Sequence, residues 1–364
     1  MKNLLFESYP DCTGSPLAIY NALIKLGYDN QYNLVWASDR NGVSNGMKTV
    51  NWFGPGHVDR KSFLSNTKLI VDSNRYIQKD YGALRLHTRH GCTLKNVPSY
   101  TQSIGPVDVI LSTSDTMTAI DRYIYPTAIH SRFITTGYPA NDALGCNSFD
   151  RVIRLVQSKR SGLTKVSQII GWFPTYRQHR NCPKLGTSKV FRYGLPIITN
   201  ELDIEHINDI LSKTNTVMLV QYHHAQALNY TSIKQYSNII VISDADLFQH
   251  GLTILSLLTG LTALITDYSS IYYEYLLLGR PIALTIPDII EYNATFGFCF
   301  DYRSLIHGTY VVGMCALCKF ITTVAESKLF DLSFQSESIH KVHRFTDFKS
   351  TERVVNLMQT TKMI

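Results

Sequence analysis

Short apolar, β-branched runs alternate with segments of helical length along nearly the whole chain. In the first half, Leu4–Glu7 reads as a strand and Pro16–Leu26 as a helix closed by Gly27. Further strands are expected at Asn33–Ala37, Thr67–Val71, Leu84–Thr88, Val107–Leu111 and Phe133–Thr136. Arg151–Thr164, rich in Lys, Arg and Ser, reads as a helix running into a linker. The second half alternates more cleanly, with strand-like runs at Gln168–Phe173, Thr216–Gln221, Ile239–Ile242, Ala263–Thr266 and Ile282–Ile286. Helical segments such as Glu205–Lys213, Asp246–Leu258 and Ser270–Leu278 separate them. Strands alternating with helices predict parallel sheets covered on both faces. The pattern therefore predicts an α/β chain of two Rossmann-like domains, 1–160 and 161–364, with parallel sheets facing a central cleft and the C-terminal helix packing back on the first domain.

Composition narrows the picture. A chain of 364 residues, 45% hydrophobic and 17% charged, can fill two cores and carries no disordered tract. Its formal charge of +7 suits an anionic substrate or a membrane surface, but no Lys/Arg run is dense enough for nucleic acid. Seven scattered cysteines, an odd number, argue against a disulfide framework and for a reducing compartment. The apolar opening Leu4–Phe6 stops at Glu7, too short for a signal peptide. Gly251–Thr266 falls short of the ~20 residues a spanning helix needs, and Gly260 divides it into a helix end and the next strand. A cytoplasmic protein is expected, able to dock peripherally on a membrane.

In sheets of this kind ligands lie beyond the carboxyl ends of the strands. Four polar clusters fall there: His90-Gly91-Cys92-Thr93-Leu94-Lys95, Pro174-Thr175-Tyr176-Arg177, Tyr222-His223-His224 and Asp267-Tyr268-Ser269-Ser270. Ser269 and Ser270 stand where a helix leaves its first N–H groups unpaired, a ready anion site, with Asp267 expected to cap the helix. By itself Asp-x-Ser-Ser is an ordinary helix start. Imidazoles, one Lys, one Arg and hydroxyls together suit a pyrophosphate-bearing substrate, whose charge the protein positions and neutralises. Neither Gly-x-x-x-x-Gly-Lys-Ser/Thr nor Gly-x-Gly-x-x-Gly occurs, so nucleotide hydrolysis and nicotinamide chemistry have no foothold.

These segments resemble motifs of the CDP-glycerol glycerophosphotransferases of teichoic-acid and capsule synthesis, a family that includes ribitol-phosphate transferases. His-Gly-Thr-Pro-Leu-Lys is matched by His90 to Lys95, Gly-Tyr-Pro-Arg-Asn-Asp by Gly137 to Asp142, and Ala-Pro-Thr-(Trp/Tyr)-Arg by Phe173 to Arg177. Thr-Asp-Tyr-Ser-Ser is matched in full at Thr266 to Ser270. Similar openings recur at Phe6-Glu7-Ser8 and Ala18-Ile19-Tyr20, and a similar ending at Ser350-Thr351-Glu352-Arg353-Val354. Each motif is weak singly, but this many in order over nearly the whole chain are specific. The resemblance implies a GT-B fold and transfer of an alditol phosphate from a CDP-alditol to a hydroxyl of a glycan or lipid-linked glycan, with CMP leaving. It implies no metal and no cofactor besides the donor substrate.

Residue by residue, the resemblance makes His90 the general base and His223 the histidine on the donor pyrophosphate, with His224 as the other choice of alignment. Arg177, Ser269 and Ser270 would bond the phosphates, with Gly91, Lys95, Thr175 and Asp267 completing the site. Three departures mark a divergent member: Cys92-Thr93 in place of Thr-Pro, Ala140 in place of Arg, and Gln221-Tyr222-His223-His224 in place of a basic-Pro-His-Pro segment. The chain opens directly on the family-like segment, so no large anchoring domain is expected. His87-x-x-His90 lacks a third metal ligand and Cys315-x-x-Cys318 lacks a partner pair, so the cysteines read as two small buried residues. Two other readings stay open at this stage: a GT-B glycosyltransferase using a nucleotide sugar, and a non-catalytic scaffold binding a nucleotide or glycan.

Overall fold

The computed structural model describes residues 1–39, 41–44, 46–75, 77, 82–96, 104–177, 191–222, 233 and 236–364. It forms two units. The first comprises Met1–Thr93, Val97–Gly145 and Lys341–Ile364, the second Leu94–Asn96 and Cys146–His340.

The first unit holds β1 (Lys2–Phe6), β2 (Tyr32–Ser38), β3 (Gly42–Ser44), β4 (Met47–Asn51), β5 (Thr67–Asp72), β6 (Leu84–His87), β7 (Val109–Ser112) and β8 (Arg132–Thr135). Their order is β3-β4-β2-β1-β5-β6-β7-β8, parallel except for the β3–β4 pair. β1 and β5 lie mid-sheet, and their Leu4, Leu5, Phe6, Leu69, Ile70 and Val71 are all inaccessible, as continuous apolar runs covered on both faces should be. Helix Gly14–Lys25 buries Ile19, Tyr20 and Leu23, with the Tyr20 ring edge-on to Phe6 at 5.2 Å.

The second unit holds β9 (Gln168–Phe173), β10 (Thr216–Val220), β11 (Ile239–Val241), β12 (Ala263–Thr266), β13 (Ile282–Thr285) and β14 (Thr309–Val311), all parallel in the order β11-β10-β9-β12-β13-β14. From β9 the chain runs outward through β10 and β11, then returns to β12 and runs the other way. The β9–β12 boundary is therefore the switch point at which such sheets bind ligands. Trp172, Met218, Ile265 and Ala283 anchor a core closed by helices Glu201–Lys213 and Met314–Ala325.

Three expectations need correction. The division falls at Gly145/Cys146 rather than near residue 160, because helix Phe149–Lys159 buries Val152, Leu155 and Val156 in the second unit. Its start is held by Ser148 N–H to Thr259 Oγ1 at 3.0 Å and its end by Lys159 to Asp246 at 2.5 Å. The expected helix Asp246–Leu258 is two, Asp244–Gln249 and Ile254–Thr259, interrupted at Gly251 with φ +62°. Ser270–Leu278 contracts to a six-residue helix, Ile271–Leu276.

The C-terminal helix Ser350–Thr360 belongs to the first unit. Asp142 caps it, accepting the Ser350 and Thr351 N–H groups at 2.8 and 2.7 Å. Gly137 lies at φ +76° with Ser350 so close that a Cβ there would sit 2.4 Å from its Oγ. The Gly137–Asp142 and Ser350–Val354 motifs are thus two halves of one joint. Among the described residues no helix is long and apolar enough to cross a membrane.

Candidate active site

In the first unit the carboxyl ends of β5 and β6 carry a buried polar lattice. Asp72 accepts from His87 Nδ1 at 2.7 Å and from Arg85 Nε at 2.6 Å, with all three side chains buried. His87 is therefore a strut of the strand ends. Arg89 takes φ +60°, a left-handed conformation that costs a non-glycine residue on the order of 1 kcal/mol. Its buried guanidinium meets Asp121 at 3.0 Å and donates to the Tyr125 and Thr93 hydroxyls, which holds the turn. With Arg89 turned inward, His90 projects outward and is exposed.

The His90 imidazole is nevertheless crowded. Desolvation by the atoms packed around it, then the Arg89 charge and His87, push its pKa down to about 4, against a smaller upward pull from a hydrogen bond to the Ser73 main chain. At neutral pH the ring is uncharged. A neutral imidazole has one ring nitrogen with a free lone pair to take a proton, the form a general base requires. Gly91 follows at φ +149°.

Lys95, five residues beyond His90, belongs to the second unit. Its segment pairs with Phe298, through Asn96 N–H to Gly297 O and Cys299 N–H to Leu94 O, both at 3.1 Å. The half-buried ammonium lies 5.6 and 5.7 Å from the ring centres of Tyr176 and Tyr292 and donates no hydrogen bond among the described residues. Burial lowers its pKa to about 8, opposed by Asp267 and reinforced by Arg177.

Around it, the ends of β9, β12 and β13 converge. Asp267, buried, accepts Thr175 N–H at 2.9 Å, Thr175 Oγ1–H at 2.5 Å, its neighbour Tyr268 N–H at 2.6 Å and Arg177 Nη1 at 2.9 Å. Arg177 is also buried, and donates through Nε and Nη2 to Asp288 at 2.7 and 3.2 Å and through Nη1 to Thr175 O at 2.9 Å. Tyr268 completes Asp288 at 2.9 Å and stacks on Tyr292 with ring centres 3.9 Å apart, while Tyr302 donates to Asp267 O at 2.9 Å.

This geometry reassigns two expected roles. Asp267 does not cap the helix after it, since that helix has Ser270 as N-cap with no side-chain bond. It ties the ends of β9 and β12 together instead. Arg177, expected to reach phosphates, spends its charge on Asp267 and Asp288. Lys95 and Arg177 balance those two carboxylates in formal charge, but both carboxylates bond Arg177; among the described residues the Lys95 ammonium and the Ser270 hydroxyl donate to no protein acceptor, and the buried Tyr292 hydroxyl has no partner. Ser269 is half-buried and accepts Ile271 N–H at a long 3.5 Å. With a six-residue helix behind them, these hydroxyls, more than a helix dipole, are what an anion would find. His223 and His224 lie outside the described residues. Cys315 is exposed rather than buried, and Cys318 is half-buried.

Asp288, Tyr292 and Tyr302 were not singled out in the sequence. The only signal was an acid three residues past β13, which reads as an ordinary helix start.

The chain matches, over residues 1–360, the family of CDP-glycerol:poly(glycerophosphate) glycerophosphotransferases. The chain belongs to this family. It is 24% identical over 333 residues to a teichoic acid poly(glycerol phosphate) polymerase of Bacillus spizizenii, covering 84% of the chain and 79% of that relative. It is equally 24% identical, over 375 residues, to the teichoic acid ribitol-phosphate polymerase TarL of Staphylococcus aureus, covering 96% of the chain and 60% of that relative. A solved structure of the wall teichoic acid polymerase TagF matches 99% of the chain and 89% of its own length with a TM-score of 0.74 at 20% identity. The fold is that of the GT-B-like members of the family, and family membership makes the chain a transferase.

Proposed function

We propose that the protein transfers glycerol phosphate from CDP-glycerol to a hydroxyl of a surface glycan or lipid-linked glycan and releases CMP. Family membership supports glycerol. The equal identity to a ribitol-phosphate polymerase makes CDP-ribitol the donor to test beside it.

The observation that carries the reading is the division of chemistry between the two units. The first presents a neutral, outward-facing imidazole, while the second presents, at the switch point of a parallel sheet, an ammonium and hydroxyls that have no acceptor among the described residues. In the reaction the acceptor oxygen attacks the β-phosphorus and its proton passes to His90. The bond from that phosphorus to the bridging oxygen breaks, and the oxygen leaves with CMP. Lys95, Ser269 and Ser270 offset charge on the pyrophosphate as it develops, joined by His223, or His224 in its place. Arg177, Asp267 and Thr175 hold the frame on which these groups stand, and Gly91 shapes the turn after the base. No cofactor beyond the donor is invoked, so turnover should persist in excess EDTA. A lipid-linked acceptor would place the work on the inner face of the cytoplasmic membrane, where a +7 chain meets anionic headgroups.

The test is CMP release by His90→Ala with CDP-glycerol and a glycan acceptor. A drop of about 10²–10⁴-fold in kcat with donor affinity unchanged is expected for loss of a general base. Wild-type turnover would remove His90 from the mechanism.

A further inference from the structure

Asp121 lies on helix Asp115–Ile124, on the face that buries Met117, Ile120 and Ile124, and its carboxylate is inaccessible. Through one oxygen it meets Arg89 Nη2 at 3.0 Å and accepts Thr93 Oγ1–H at 3.3 Å. Arg89 Nη2 also donates to Thr93 Oγ1, so the three side chains close a triangle across the turn from residue 89 to residue 93. His90 stands inside that turn. Cys92 ties it further, its Sγ in hydrogen-bond contact at 3.4 Å with Thr113 Oγ1, between β7 and the helix. Cys92 and Thr93 are the two residues that depart from the Thr-Pro of the family motif.

We infer that Asp121 is a positioning residue for the catalytic base: it holds both flanks of the His90 turn, Arg89 before and Thr93 after, and so replaces the restraint of the proline this chain lacks. The inference rests on the reading of His90 as base. A proline ring would fix φ at residue 93. Threonine leaves φ free, and its hydroxyl instead joins the turn to the helix. Residue 89 stands at φ +60°, where glycine is free of strain, yet it is an arginine whose side chain reaches the carboxylate. A buried ion pair is weak support for stability, since apolar residues of similar volume often serve as well. Holding the turn in one shape gives this pair a use.

The experiment is a double-mutant cycle on CMP release from CDP-glycerol with a glycan acceptor, using Asp121→Asn and His90→Ala alone and together. Amide hydrogen exchange is followed in wild type and Asp121→Asn beside it. With His90 present, Asp121→Asn should lower kcat by about tenfold or more and leave the KM for CDP-glycerol unchanged. In the His90→Ala background it should lower kcat no further, because no base remains to be positioned. A loss of folded protein would instead scale both backgrounds alike. Exchange should quicken across 89–94 while β5, β6 and β7 stay protected. Thr93→Val removes one hydroxyl and keeps the ion pair, and should show the same pattern more weakly, so it carries the test if Asp121→Asn does not fold. Equal losses of kcat in the two backgrounds, or unchanged exchange in a folded variant, would overturn the inference. If His90→Ala turns over like wild type, the base reading falls, and exchange alone decides whether Asp121 locks the turn.

Discussion

A buried charge is informative when its partners are counted. Arg177 resembles a phosphate ligand in the sequence, but its carboxylates Asp267 and Asp288 lie 90 and 111 residues away, and no local pattern shows that they meet. Replacing it with Met would strand two buried carboxylates, at a cost of about 3–5 kcal/mol. A large fall in Tm is expected, whereas a direct phosphate ligand would raise KM and leave Tm in place. Lys95 is the contrasting case, an ammonium over rings with no acceptor among the described residues. Its pKa near 8 means it is charged below that pH. Donor affinity should therefore weaken as pH rises through about 8, and Lys95→Arg should hold its affinity to higher pH in a calorimetric series. Glu274 is a third kind. Burial lifts its carboxyl to about 8, with only its own main-chain N–H opposing, so the folded state binds the proton more tightly than the unfolded state. Its contribution to stability is complete below the unfolded value of 4.5 and is lost as pH rises through about 8. Glu274→Gln should flatten that part of the stability curve and gain on the order of 2 kcal/mol at pH 8. Parallel curves for the two proteins would contradict the assignment.

Among the elements, strands with continuous apolar runs were legible and those without were not. β1, β5, β9 and β12 announce themselves through residues buried on both faces. The edge hairpin of β3 and β4 alternates polar residues in Met47–Asn51, and β14 is three residues long with two exposed, so neither stands out from loop sequence. Helix Asp115–Ile124 was missed for a related reason: its buried face includes Asp121, whose partner Arg89 lies in the turn after β6. The Gly137–Asp142 motif, noted in the sequence only as a family-like segment, serves a joint with the C-terminal helix. Asp142→Ala should cost about 1–2 kcal/mol as a lost helix cap, read as a lower Tm. CDP-glycerol affinity should be unaltered.

At the scale of the whole molecule, two parallel sheets and their strand-end clusters could be expected from the alternation of elements, because strand ends are where such sheets bind ligands. The boundary could not, since helix Phe149–Lys159 looks linker-like until its apolar face is seen packed in the second unit. What the sequence lacked was the distinction between residues that hold the frame and residues left open to a ligand, which depends on partners far apart in the chain. The central claim is that the open groups recognise a CDP-alditol. Calorimetric binding of the purified protein to CDP-glycerol, CDP-ribitol, CMP and UDP-glucose tests it most directly, since it needs no acceptor. CDP-glycerol should bind more tightly than UDP-glucose by at least tenfold; preference for UDP-glucose would contradict alditol-phosphate transfer and return the chain to sugar transfer on the same fold.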